Sequence, residues 1–186
     1  MFLRRALIAF SACSALLIPR VVVAQQMEST PIPEVPKPNF SGMQFLVGTW
    51  SCSTKSARRP APYVGTSTYT ISPDGWWINE TTVTQPVPWF NHTVTVYDKI
   101  TYDSTTKRWI DVTYGDLGVY GLTTAAGWNG SAIVWHDPTF APNSDVTAQT
   151  DLTMTKDSTS KYTTASSFTE ASGRNVSVVS TCTKSG

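Results

Sequence analysis

Over most of this chain apolar residues recur at every second position, and that period decides what it can fold into. Val94, Val96, Ile100 and Tyr102 alternate with Thr95, Lys99 and Thr101. Leu152 and Met154 alternate with Asp151, Thr153 and Thr155, and Val176 and Val178 with Asn175 and Ser177. Successive side chains of a strand point to opposite faces, so each segment presents one apolar and one wet face. Antiparallel strands around a single interior have this pattern. Turn residues punctuate the runs: Pro73-Asp74-Gly75, Asp103 to Lys107, Gly127 to Gly130, Asp157 to Ser160 and Ser172-Gly173. The count is about ten strands. Helix is confined to one short turn, Gln44 to Leu46, which Ser41 is placed to cap.

The ends read differently. Arg4 and Arg5 precede an apolar stretch from Ala6 to Ile18, and Val22-Val23-Ala24 offers small residues before Gln25. Residues 1–24 are therefore predicted to be a signal peptide, too short in its apolar part to span a bilayer. Lipoprotein processing at Cys13 is disfavoured by Phe10, a poor residue three positions before the cysteine. Residues 25–40 are proline-rich and predicted to form an extended linker. The folded domain is residues 41–186. Export to the periplasm or beyond follows, with no membrane span in the mature protein.

Losing Arg4, Arg5 and Arg20 leaves 11 of the 14 basic residues against 13 acidic ones, a net charge near −2. No basic patch remains to attract nucleic acid. Two cysteines remain, Cys52 and Cys182, and an even pair in an oxidising compartment reads as a disulfide. Cys52 lies in the first strand and Cys182 in the last. In a closed up-and-down barrel those strands are antiparallel neighbours, so the bridge would staple the seam that connectivity leaves unfastened. A sandwich does not require that bridge. The predicted fold is all-β, a closed antiparallel up-and-down barrel of about ten strands.

Phe45-Leu46-Val47-Gly48-Thr49-Trp50 resembles the opening strand of lipocalin-like calycin barrels, with its Gly-x-Trp signature. The fuller wording is similar to nitrobindin and to an uncharacterised family of secreted bacterial lipocalin-like proteins. The Tyr102 to Trp109 hairpin, Gly118-Val119-Tyr120-Gly121, and Gly127 to Gly130 leading to Val134-Trp135 resemble that family too. The resemblance implies a calycin-like barrel without an assigned activity, and a basic residue of the last strand stacked on the first-strand tryptophan. If Cys52 faces Cys182, antiparallel register places Lys184 opposite Trp50, so Gly48, Trp50 and Lys184 form the expected barrel signature. Arginine is the usual residue there, and lysine stacks less well. Nitrobindin-like proteins hold haem through a late histidine, and no histidine follows His136 here. Haem is not carried over, and no cofactor is expected.

Catalytic motifs are absent: no Gly-x-Ser-x-Gly elbow, phosphate loop, dinucleotide fingerprint or paired-histidine helix occurs. His92 follows an aromatic loop, where it is either a solvated histidine or a group at a barrel mouth. His136 and Asp137 are strand neighbours that point apart, so they form no direct dyad. No metal site and no catalytic residue is assigned. Glu80, Asp98 and Asp111 share parity with Ile78, Ile100 and Trp109. They line the lumen if that parity faces inward, and face water if bulges shift it.

Seven tryptophans in so short a chain suggest a concave site lined by aromatics. Trp50 and Trp109 read as core. The ligand-binding candidates are Trp76, Trp77, Trp89, Phe90, His92, Trp128 and Glu80. Pro86, Val87, Pro88, Trp89 and Phe90 concentrate apolar surface in one connection, which suggests a mouth beside it. The expected function is non-covalent binding of a small apolar or amphipathic molecule. The alternatives are an enzyme of hydrolase or isomerase type using the same cavity, with an interior carboxylate or His92, and a purely structural or interaction module.

Overall fold

The computed structural model describes residues 34–136 and 145–185, and within these Val35 onward belongs to one compact unit. The predicted signal peptide, its Cys13 and most of the linker lie outside the described residues. Twelve strands follow one another: β1 (Gly48–Ser56), β2 (Tyr63–Ile71), β3 (Ile78–Thr84), β4 (Val94–Asp103), β5 (Arg108–Gly115), β6 (Tyr120–Ala125), β7 (Trp128–Asn129), β8 (Ala132–Trp135), β9 (Val146–Gln149), β10 (Leu152–Lys156), β11 (Lys161–Glu170) and β12 (Asn175–Lys184). All pair antiparallel in one sheet, in the order β6-β5-β4-β3-β2-β1-β12-β11-β10-β8-β7. β9 takes a place beside the far end of β11, pairing Phe168 with Gln149. The sheet curls into an open half-barrel with almost no helix.

The seam is not where connectivity suggested. β1 and β12 pair along a full ladder, from Trp50 opposite Lys184 to Ser56 opposite Val178. Cys52 sits opposite Cys182, with their sulfurs joined at 2.07 Å. The sheet breaks between β6 and β8. Among the described residues these meet at one bridge, where Thr124 and His136 exchange both backbone hydrogen bonds at 3.0 and 2.7 Å. Full closure therefore does not follow from the described ladders.

Alternation accounts for the burial. Along β1 Trp50, Cys52 and Ser56 are buried while Thr49, Ser51 and Ser53 are exposed. One end of the barrel is filled by the segment before β1. Phe40, Met43 and Leu46 join Trp50, Tyr69, Ile78, Ile100, Ala125 and Ile133 in a single apolar cluster. A 3-10 turn, Gln44–Leu46, shapes this plug, but Ser41 does not cap it. The Ser41 N–H is instead held by the Asn39 side chain, at 3.0 Å.

Gly48 and Trp50 mark where the plug meets the wall. Trp50 is fully buried and its Nε1 donates to Leu46 O at 2.6 Å. Lys184 Nζ donates to Phe45 O at 2.9 Å and stands 5.2 Å from the Trp50 ring. Gly48 adopts φ +127°, and a Cβ there would come within 2.9 Å of Lys184 Cε. The glycine of the Gly-x-Trp sequence is thus required by its backbone angle, and it leaves room for the lysine passing over it.

Candidate functional site

Above the plug the same strands enclose a cavity of about 350 Å³. Its walls come from both halves of the sheet. Tyr69, Glu80, Asp98, Ile100 and Asp111 line one side, and Trp135, Leu152, Met154 and Tyr162 the other. Inward parity places the acids and the tryptophan: Glu80 lies two residues from Ile78, Asp98 two from Ile100, Asp111 two from Trp109 and Trp135 two from Ile133.

The polar wall is continuous across β2 to β5. Glu80 stands directly opposite Asp98, and Asp111 opposite Ile100 on the next pair. Directly opposed positions have Cβ atoms ~4.5–5.5 Å apart, where like charges destabilise a sheet. Thr82 Oγ1 donates to Glu80 Oε1 at 2.8 Å, and Ser67 Oγ lies 2.6 Å from Thr82 Oγ1. Thr113 Oγ1 donates to Asp98 Oδ1. The Tyr69 and Tyr162 hydroxyls are 3.1 Å apart, and Tyr162 OH lies 3.7 Å from the Cys52 sulfur. Asp111 differs from its neighbours, because its Oδ1 is buried without a hydrogen-bond partner.

This setting keeps the carboxyls protonated to unusually high pH. Burial pushes Asp98 up to about 7, with the nearby Glu80 charge adding to it and the Thr113 bond opposing. Burial, then the charges of Asp98 and Glu80, raise Asp111 well above the usual carboxylate range. Burial raises Glu80 too, against hydrogen bonds from Thr82, Tyr69 and Ser67. Burial and Glu80 also raise Tyr69 and Tyr162, so their hydroxyls stay neutral. The cluster can donate protons, accept hydrogen bonds, or ionise beside an incoming positive charge.

Of the ligand-binding candidates read from the sequence, only Glu80 lines this cavity. Trp76 and Trp77 belong to the β2–β3 turn, where Asp74 and Ser72 hold their backbone N–H groups at 3.1 and 3.0 Å. Trp128 packs edge-on against Phe45 at 5.6 Å, beside the plug. Trp89, Phe90 and His92 stay in the β3–β4 connection. There Val87 and Phe90 exchange backbone hydrogen bonds of 2.8 and 2.9 Å, and His92 meets the Phe90 ring at 5.5 Å. That loop folds on itself, and none of its residues is among those lining the cavity. The lining carries acids among its apolar and aromatic side chains, because the parity shared by Glu80, Asp98 and Asp111 does face inward.

His136 pairs through Nδ1 with Asp151, at 2.8 Å; Asp137 lies outside the described residues. Among the described residues no group of three His, Cys, Asp or Glu is arranged to hold a metal. None of the described helical segments is long and apolar enough to cross a membrane. Tyr69, Tyr162, Thr113 and Trp135 were not singled out for the site by sequence. Their signal was available in their inward parity beside Trp50, Ile78 and Ile133.

Fold and cavity define an all-β half-barrel with an internal polar wall. No protein-family model matches the chain, and no curated protein matches it. Among solved structures it is similar to the crystal structure of Rv2717c from M. tuberculosis, with a TM-score of 0.60 and 13% sequence identity, covering 79% of this chain and 97% of that one. At that identity the likeness speaks for the fold alone.

Proposed function

We propose that this is an exported, lipocalin-like protein whose calycin-type barrel closes around a small amphipathic molecule and binds it without covalent chemistry. The observation that carries the reading is the cavity of about 350 Å³, whose lining combines apolar side chains such as Ile100, Trp135, Leu152 and Met154 with hydrogen-bonding ones such as Glu80, Asp98 and Asp111. Its size is at the low end of ligand pockets, ~300–1,000 Å³. The Cys52–Cys182 bridge suits an oxidising compartment and holds the cavity wall where the chain's first and last strands meet.

The test uses N-phenyl-1-naphthylamine, a neutral environment-sensitive dye, with Trp135 in the lining as internal reporter. Saturable dye emission with matching tryptophan quenching is expected. Thr123→Phe, which fills the cavity, should abolish both while the thermal midpoint is retained. Unsaturable binding, or binding unchanged in a folded Thr123→Phe protein, would reject the reading.

A second reading has one specific observation behind it. Asp98 titrates near neutrality inside the cavity, as a proton-transfer group of an isomerase or hydrolase would. Turnover lost in Asp98→Asn with ligand affinity kept would favour it.

A further inference from the structure

We infer that the cavity is built to receive the protonated amine of a small amphipathic molecule, with Glu80, Asp98 and Asp111 as its counter-charge. This rests on the ligand-binding reading above and names the ligand class. Three acids on adjacent strands face one space, and its described lining includes no lysine, arginine or histidine. The same chain shows how it ordinarily treats a buried acid. Glu170 is buried too, and Arg174 Nε and Nη2 hold its carboxylate at 2.7 and 2.8 Å while Arg58 Nε approaches at 3.1 Å. No such partner is supplied in the cavity, and Asp111 Oδ1 is left without any hydrogen bond. Buried polar atoms are nearly always satisfied, and one that is not asks what would satisfy it.

An ammonium group answers both deficits, since it brings three donors and the missing positive charge. A carboxylate ligand would bring a further negative charge to three acids that already oppose one another's ionisation, and a neutral alcohol would satisfy the orphan oxygen without forming an ion pair. A divalent cation is disfavoured, because the acids are not arranged as metal ligands among the described residues. The opposite wall, with Trp135, Leu152 and Met154, would take the apolar remainder. The titratable groups facing the bound amine are Glu80 on β3, Asp98 on β4, Asp111 on β5, Tyr69 on β2, Tyr120 on β6 and Tyr162 on β11. Tyr69 and Tyr162 stay neutral, and the three acids are the groups that can supply negative charge beside the amine. Near pH 7 the incoming ammonium would ionise a protonated carboxyl, forming an ion pair and releasing one proton to solvent.

The experiment is calorimetric titration at pH 7 with straight-chain probes of four to eight carbons, each as amine, alcohol and carboxylate. It is repeated in buffers of different ionisation enthalpy, which counts protons released. Amines should bind at least about tenfold more tightly than matched alcohols, with proton release, and carboxylates should not bind. Asp111→Asn should lose the amine preference and the proton release but keep alcohol binding; Asp98→Asn serves the same purpose if that variant does not fold. Amine and alcohol binding alike, while N-phenyl-1-naphthylamine still binds, would overturn the amine assignment and leave the cavity reading standing. No binding by any probe or by the dye would overturn both.

Discussion

The barrel is two unlike halves made from the same strands. At the plugged end the inward residues are Trp50, Ile78, Ile100 and Ala125, and all are buried. Two residues along the same faces they become Cys52, Glu80, Asp98 and Thr123, and these line the cavity. Parity, pairing and curvature are shared, so the difference comes from side-chain chemistry alone. One half gathers dry apolar contacts that hold the fold. The other leaves acids buried beside one another, an arrangement that costs stability and that proteins retain where a site needs it.

The largest effect should come from the dry half. Trp50→Ala removes a fully buried indole, its bond to Leu46 O and the surface on which Lys184 rests. A loss of about 3–5 kcal/mol is expected in urea unfolding. Thr123→Ala, in the cavity half, should cost less than about 1 kcal/mol. Similar losses at the two sites would break the comparison, since the plug would then hold no more of the stability than the cavity wall.

Opposite sign distinguishes the second prediction. Asp111 is raised above its unfolded value by burial and by the charges of Asp98 and Glu80. The folded state therefore holds its proton more tightly than the unfolded one. Its contribution is fully present below the unfolded value near 3.8 and is lost as pH rises through the folded one. Asp98 acts in the same direction, with loss running from about 3.8 to about 7. Glu170 acts in reverse, since its hydrogen bond from Arg174 lowers its pKa and its contribution fades only in acid. Asp111→Asn should thus stabilise by about 1–2 kcal/mol at pH 8 and by nothing measurable at pH 4. Thermal melts at the two pH values check it. Destabilisation at pH 8 would mean that the ionised carboxylate is satisfied in the free protein, and the contrast between the halves would weaken.

Much of this contrast was legible in the sequence. The turn residues Asp157 to Ser160 and Ser172-Gly173 do bracket β11 at Lys161–Glu170, and the cysteine pair gave the Trp50–Lys184 register. The break between β6 and β8 was not legible, because their union rests on the backbone of Thr124 and His136, which no pattern of side chains announces. The site was half legible. Parity correctly joined Glu80 to Ile78 and Asp111 to Trp109, but parity alone does not say which face curls inward. Tryptophan count was a weaker guide. Trp76 and Trp77 are held by the turn they occupy and Trp128 by Phe45, and of the seven tryptophans Trp135 alone is part of the cavity lining.

The smallest predicted effect concerns the lysine that joins plug to wall. Lys184 donates to Phe45 O at 2.9 Å and lies 5.2 Å from the Trp50 ring, while Lys156 stands 4.6 Å over the Phe45 ring. Lys184→Met keeps an unbranched stem over Gly48 but removes the charge and its donor. The cation–π contact of a half-buried lysine and one hydrogen bond together suggest a loss of about 1 kcal/mol. A shift of the urea midpoint with unchanged slope measures it. Dye affinity should not move, because Lys184 belongs to the plugged end and is not part of the cavity lining. If Lys184→Met weakened dye binding more than it weakened the fold, plug and cavity would be coupled through β12. The signature tryptophan and its lysine would then belong to the binding site as well as to the core.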